Sequence, residues 1–278
     1  SNWLVNRIVY VFLEFTRNVP VLLHILFVYS IFLYTLPVPK KAINISDTVF
    51  LSNRGFYTPA PVFEDGFGYV LISIMAAILI VFFFKRWARK VQDTTGRIYP
   101  VFYFSLAILI FLPLFTFFIS GSPLSMEIPA MKGFNFKGGN SIKPEYIALT
   151  FALSYYTSCF IAEIVRSGIL AVSKGQTEAS HALGLTHGST LRLVIIPQAL
   201  RVIIPPLASQ YLNLTKNSSL AIAVGYMDVV ATIGGISLMQ TGKEMETMFL
   251  VLLTYLSISL LISAFMNWFN KRMALVER

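Results

Sequence analysis

Polar residues capable of chemistry fall at three places in a chain that is otherwise strongly apolar. Asn213, Lys216 and Asn217 lie within about one helical turn of one another, inside the run Leu200 to Tyr226. An ammonium between two amides can hold a carboxylate and bond to polar side chains. Equally, Lys216 could pair with a carboxylate of a partner chain or face water at a helix break. Ionisable groups inside a membrane face a cavity or a partner in either case. Glu163 and Arg166 stand three residues apart at the end of another apolar run. That spacing makes an i,i+3 ion pair the default, with a gate as the alternative. The third place is 177–206, TEASHALGLTHGSTLRLVIIPQALRVIIPP, a polar, helix-forming stretch set between apolar runs.

Other chemistries lack their parts. The single cysteine, Cys159, reads as a small buried apolar residue. No Cys/His cluster has metal-ligand spacing, so neither a disulfide nor a metal is expected. No G-x-x-x-x-G-K-[ST] loop is present; Gly242-Lys243 lacks both the upstream glycine and the following hydroxyl. The chain therefore cannot itself bind ATP-Mg through that device, and no cofactor is expected. His24 reads as a hydrogen-bonded core histidine, and Tyr155-Tyr156 as aromatic packing or a cavity wall.

The elements that must position these residues follow from composition. Charged residues make up 13% of the 278-residue chain, against roughly 25% in soluble domains. An integral, all-α, polytopic membrane protein is the reading. The net charge of +9 then reflects Lys and Arg at helix ends, and nucleic acid is not a partner, because no basic run interleaved with aromatics stands outside the bilayer. A spanning helix needs about 20 apolar residues. Asn18–Leu36, Phe67–Phe84, Tyr99–Ile119, Tyr146–Leu170 and Met248–Phe269 qualify, and Leu200–Tyr226 is a more polar sixth. Residues 1–17 form an amphipathic helix that lies in the interface, with Leu4, Ile8, Val11, Phe12 and Phe15 on one face.

Alternation of the spans puts 1–17, 85–98, 171–199 and 270–278 on one side. Arg7, Arg17, the KRWARK cluster at 85–90, Arg97, Arg166, Lys174, Arg192, Lys271, Arg272 and Arg278 gather there. The opposite side keeps Lys40, Lys41, Arg54, Lys132, Lys137, Lys143 and Lys243. A bias of about two to one makes the first side cytoplasmic. The outer loops 38–65 and 120–145 are rich in Pro, Gly, Asn and Ser and read as ordered turns or caps. No internal repeat is evident, and 1–278 reads as a single transmembrane domain.

Within 173–197, Glu178 to Leu185 forms a helix that Thr177 could cap. Gly184 supplies the left-handed end. A second helix, Ser189 to Ile196, stops at Pro197, and Pro205 and Pro206 bend the next span. A short polar helix tied rigidly to two spans suits mechanical coupling to another protein, and an ordinary connecting loop is the alternative.

EASHALGL, eleven residues, then PQALRVIIPP resembles the EAA loop of ABC importer permeases, with Ser180 in place of the third small residue. AEIVRSGILAVSKGQTEASHALGL (162–185) and PPLASQYLNLTKNSSLAIAVGYMDVV (205–230) look like the polar amino-acid permease family. TRNVPVLLHILFVYSIFL (16–33) resembles an earlier span of that family, and VFLSNRGFYTPAPVFE (49–64) its general L-amino-acid branch. Members begin with a further span before Trp3, so the resemblance implies a chain lacking its N-terminal segment.

The resemblance implies the ABC importer type I permease fold. It implies an ATP-driven amino-acid uptake subunit of the bacterial inner membrane that is not itself an enzyme. Its partners would be a second, homologous permease, two copies of an ABC ATPase and a periplasmic amino-acid-binding protein. Glu178, Ala179, Ser180, Ala182, Leu183 and Gly184 would form the surface coupled to the ATPase. Two other classes remain open on the residues alone. An ion-driven transporter would need paired repeats and broken helices; only the Pro205-Pro206 region resembles one. A membrane scaffold would leave the polar 213–217 cluster without a use.

Overall fold

The computed structural model describes residues 3–273, so Arg278 and the other residues beyond those bounds lie outside the described residues. Two compact units emerge. The first is Ser1–Val38, Asn53–Gly55 and Ile142–Arg278; the second is Pro39–Ser52 and Phe56–Ser141.

The first unit opens with α1 (Trp3–Asn18) and α2 (Val21–Thr35), which meet at a 102° bend. Pro20, lacking an N–H, stands at the corner. The expected first span is thereby shortened. Helix α2 has 15 residues, about 22 Å of rise, short of the roughly 30 Å hydrocarbon core. Three long helical stretches complete the unit: α5 (Pro144–Leu170), a continuous run from His187 to Val224, and α10 (Glu244–Met273). With α3 and α4 of the second unit, five helices among the described residues are long and apolar enough to cross a membrane, or six if the bent α1–α2 pair makes one span.

Lipid offers no hydrophobic drive between helices, so small residues and close packing must hold them. Ala148 and Ala152 of α5 are fully buried, and Ala152 with Leu149 and Leu153 packs on Ile25 of α2 and on Ala221 and Val224. Lower down α5, Gly168 lies against α8 (Ile196–Asn217). A Cβ there would sit 2.3 Å from Ile203 Cγ1, so this crossing admits no side chain without movement. Cys159 is buried on the same helix.

The second unit holds a helical pair, α3 (Phe67–Thr95) and α4 (Val101–Ile119). Val70, Ser73, Ala77 and Val81 make the buried stripe of α3. The loops 38–65 and 120–145, expected as ordered turns or caps, contain β-structure. Strands β1 (Ile43–Ile45), β2 (Val49–Ser52), β3 (Gly55–Thr58) and β8 (Asn140–Ile142) form one sheet in that order. Strand β4 (Ala60–Phe63) pairs antiparallel with β5 (Leu124–Glu127), and β6 (Ala130–Lys132) with β7 (Asn135–Lys137). Phe136 stacks on Phe50 at 4.5 Å, and Tyr57 donates to Asn135 Oδ1 at 2.8 Å. The two loops are thus knitted to each other. Strands of three or four residues carry too short an alternation to read locally, and the partners in β3–β8 and β4–β5 lie far apart in sequence.

Candidate functional site

The polar stretch is built on two short helices. Helix α6 (Lys174–Ala182) starts one turn earlier than expected, with Ser173 rather than Thr177 at the N-cap position. Its last residue is Ala182, three short of the expected Leu185, while Gly184 supplies the expected left-handed turn. Gly184 has φ +77°, its N–H bonds to His181 O, and Leu185 N–H reaches back to Ser180 O. This pair of bonds is a Schellman motif. Helix α7 (His187–Thr190) follows, with Thr186 Oγ1 accepting from Ser189 N–H.

Pro197 does not end the second helix as expected. Leu191–Ile195 forms a π-helical turn, and α8 begins at Ile196 with Pro197 in its first turn. The wider turn accommodates the missing N–H and the proline ring, so the stretch runs unbroken from α7 into the span. Pro205 and Pro206 likewise sit inside α8 without breaking it.

The six residues singled out by the EAA resemblance divide. Glu178, Ala179, Ala182, Leu183 and Gly184 are exposed, and the first four share one stripe of α6. Leu183 is 82% exposed, an unusual state for a leucine on a polar helix. Glu178 has no ion pair among the described residues. Ser180 points the other way. It is 3% exposed and bonds to Thr177 O at 2.7 Å and Thr190 Oγ1 at 3.0 Å. Thr190 is itself fully buried. Ser180 is therefore the internal fastening between α6 and α7 and not part of the exposed stripe. Gln198 Nε2 donates to Gln176 Oε1 at 3.2 Å, a further tie from α8 to α6. The stripe thus stands on a base fastened to α7 and α8.

Asn213, Lys216 and Asn217 occupy the last turn of α8, with Asn213 and Lys216 exposed and Asn217 half-buried. Directly after them the helix tightens to 3₁₀ over Ser218–Val224 and ends at Gly225, φ +76°. Ser218 donates to Thr215 O and Ser219 to Lys216 O, both at 2.7 Å. These hydroxyls satisfy carbonyls where the ladder changes. Lys216 forms no ion pair among the described residues. Glu163 and Arg166 make a bidentate pair at the end of α5. Arg166 Nη2 donates to Oε1 at 2.6 Å and Nε to Oε2 at 3.0 Å. The two residue groups on α5 and α8 do not touch the α6 stripe through any described hydrogen bond or ion pair.

Tyr155 packs rather than standing free. Its hydroxyl bonds to the buried Thr16 at 2.8 Å, and Phe12 meets its ring edge-on. His24 lies 6.0 and 5.7 Å from the Tyr155 and Tyr156 rings, with Nδ1 3.2 Å from Pro20 O. Sequence reasoning missed Asp228. Its Oδ1 accepts from Ala231 N–H at 2.8 Å, and its Oδ2 from Tyr255 of α10 at 3.3 Å. An aspartate three residues before the N–H it caps is an N-cap signal.

Residues 68–275 match the family described as "Binding-protein-dependent transport system inner membrane component". The whole chain is 48% identical to a general L-amino acid transport system permease protein, AapQ, of Rhizobium johnstonii, covering 69% of that relative. It is 46% identical to BztB of Rhodobacter capsulatus, a glutamate/glutamine/aspartate/asparagine transport system permease protein, covering 72% of it. A solved structure, an amino acid ABC transporter with histidines, is 33% identical with a TM-score of 0.42. The match covers 46% of this chain and 60% of that one.

Proposed function

This chain belongs to the family of binding-protein-dependent transport system inner membrane components, and we infer that it is the permease subunit of an ATP-driven amino-acid importer. The relatives named above act as amino-acid permeases over the full length of the chain. The observation that carries the mechanical half of the reading is the exposed stripe of α6, with Leu183 82% exposed on a base clasped to α7 and α8. A leucine held in water on a rigid polar helix is suited to a groove in another protein.

On this reading Glu178, Ala179, Ala182, Leu183 and Gly184 dock into a groove of a cytoplasmic ABC ATPase. Ser180 holds the docking helix in its orientation. Two ATPase copies close on ATP and pull α6, and α6 carries the motion to α5 and α8, because Gly168 and Ile203 leave no slack at their crossing. The permease pairs with a second, homologous subunit in the bacterial inner membrane. A periplasmic amino-acid-binding protein delivers substrate to the outer loops. Lys216, with Asn213 and Asn217, receives the substrate carboxylate from the path. The Glu163–Arg166 pair stands at its inner end. Alternating access moves the amino acid with no covalent intermediate.

The test is cross-linking of Leu183→Cys to a cysteine in the ATPase groove, in membranes holding all subunits, with and without ATP. A specific cross-link that depends on an intact ATPase supports coupling. If no position from 178 to 184 cross-links with all subunits present, the stretch is a connecting loop and coupling is rejected.

A further inference from the structure

The basic cluster of the second unit has a structural setting that transport does not use. From Phe67 to Phe84 helix α3 carries no charge. Those residues rise about 27 Å, close to the roughly 30 Å hydrocarbon thickness. The helix nevertheless continues to Thr95, and with the uncharged stretch spanning the hydrocarbon, Lys85 and the residues just after it would meet the headgroups.

Ala76, Leu79, Ile80, Phe83, Phe84 and Trp87 follow one another at helical spacing and line an open apolar groove of about 670 Å³. Ile80 also lines a second apolar groove of about 470 Å³, walled by Ile108, Phe111 and Phe115 of α4. Trp87, stacked 5.9 Å from Phe84 and 5.3 Å from Tyr99, stands at the basic end. Tryptophan and tyrosine favour that depth. One turn beyond, Lys90 continues the groove face and Arg86 flanks it. Arg97 follows the left-handed turn at Gly96, φ +72°. All three are exposed, and none has an ion pair among the described residues. Lys85 and Arg89 add to the positive field, against the single carboxylate of Asp93.

We propose that this face of α3 and α4 is a binding site for an anionic phospholipid. The acyl chains lie in the two grooves, and the phosphate sits against Arg86, Lys90 and Arg97 beside Trp87. The groove specifies a hydrocarbon chain and the cations a negative headgroup directly attached to it. An acidic protein segment would satisfy the cations and leave the groove empty. Clusters of Lys and Arg just beyond a span recognise anionic lipid in this way, each contributing about fivefold in affinity. Arginine adds bidentate bonds to phosphate oxygens.

Trp87 is a built-in reporter, since the chain has only Trp3, Trp87 and Trp268. The full chain carrying Trp3→Phe and Trp268→Phe is placed in nanodiscs containing small fractions of brominated phosphatidylglycerol or brominated phosphatidylcholine. The expected result is quenching of Trp87 at a phosphatidylglycerol fraction roughly a hundredfold lower. That preference should disappear in Arg86→Gln/Lys90→Gln/Arg97→Gln. Equal quenching by the two lipids overturns the proposal, and so does a preference that survives the triple substitution. Loss of the preference on adding inorganic phosphate, but not chloride of equal ionic strength, also overturns it, because the site then takes free phosphate. Should the triple variant fail to fold, the unsubstituted cluster still decides. Its preference must shrink in high salt, and a salt-independent preference rejects a charge-selected lipid.

Discussion

Single residues in this protein act through what surrounds them. Ser180 and Leu183 are three positions apart, yet one is 3% and the other 82% exposed. Removing the Ser180 hydroxyl as Ser180→Ala takes away the partner of the buried Thr190 hydroxyl, at a cost of about 1–3 kcal/mol. Thermal unfolding in detergent should register it. Leu183→Asp leaves stability within about 0.5 kcal/mol, because nothing in the chain covers that side chain, yet ATP-dependent uptake should fall at least tenfold on the coupling reading. A Leu183→Asp variant that transports normally refutes the docking role. Lys216→Met should abolish most uptake with assembly intact. Unchanged uptake would return Lys216 to a plain polar residue at a helix break.

Elements are joined here by exclusion of side chains as much as by attraction. At the α5–α8 crossing, Gly168→Ala forces Ile203 aside and should cost about 1–3 kcal/mol of stability. Ile203→Ala removes the obstruction while opening a cavity. The double variant should be more stable than the two single costs added together predict, and simple additivity would show that the helices separate freely. Gly184 is different in kind. No atom lies within 4 Å of a Cβ there, so the about 1–2 kcal/mol expected for Gly184→Ala is backbone strain at φ +77° alone. Protease sensitivity of the 182–187 turn should rise while the spans stay folded. The boundaries of α6, the π-helical turn before Pro197 and the short strands were not legible in the sequence. Each depends on which partner captures the local backbone. A proline ends a helix in isolation, but a packed chain can absorb it by widening one turn.

At the scale of the molecule, the charge bias assigns 85–98 to the cytoplasm and 38–65 to the outside. Cysteines introduced in turn at Arg54 and Arg89 should therefore label from opposite sides of sealed vesicles with an impermeant maleimide. Labelling of both from one side rejects that topology. The α3–α4 pair adds a lipid-facing surface whose cations and groove lie within one unit, so its lipid selectivity should persist whether or not the other subunits are bound.

Composition and apolar run length determined the membrane class, four of the spans to within a few residues and the polar helix between α5 and α8, because burial in hydrocarbon constrains every residue of a long segment at once. The long motif over 162–230 determined the family. Tertiary structure alone decided that Ser180 faces inward, that Asp228 joins Tyr255, that the loops 38–65 and 120–145 pair as strands and that α1 and α2 meet at a 102° bend. Those outcomes rest on contacts between residues distant in the chain, or on one turn bending at Pro20, and neither leaves a period that the local sequence can show.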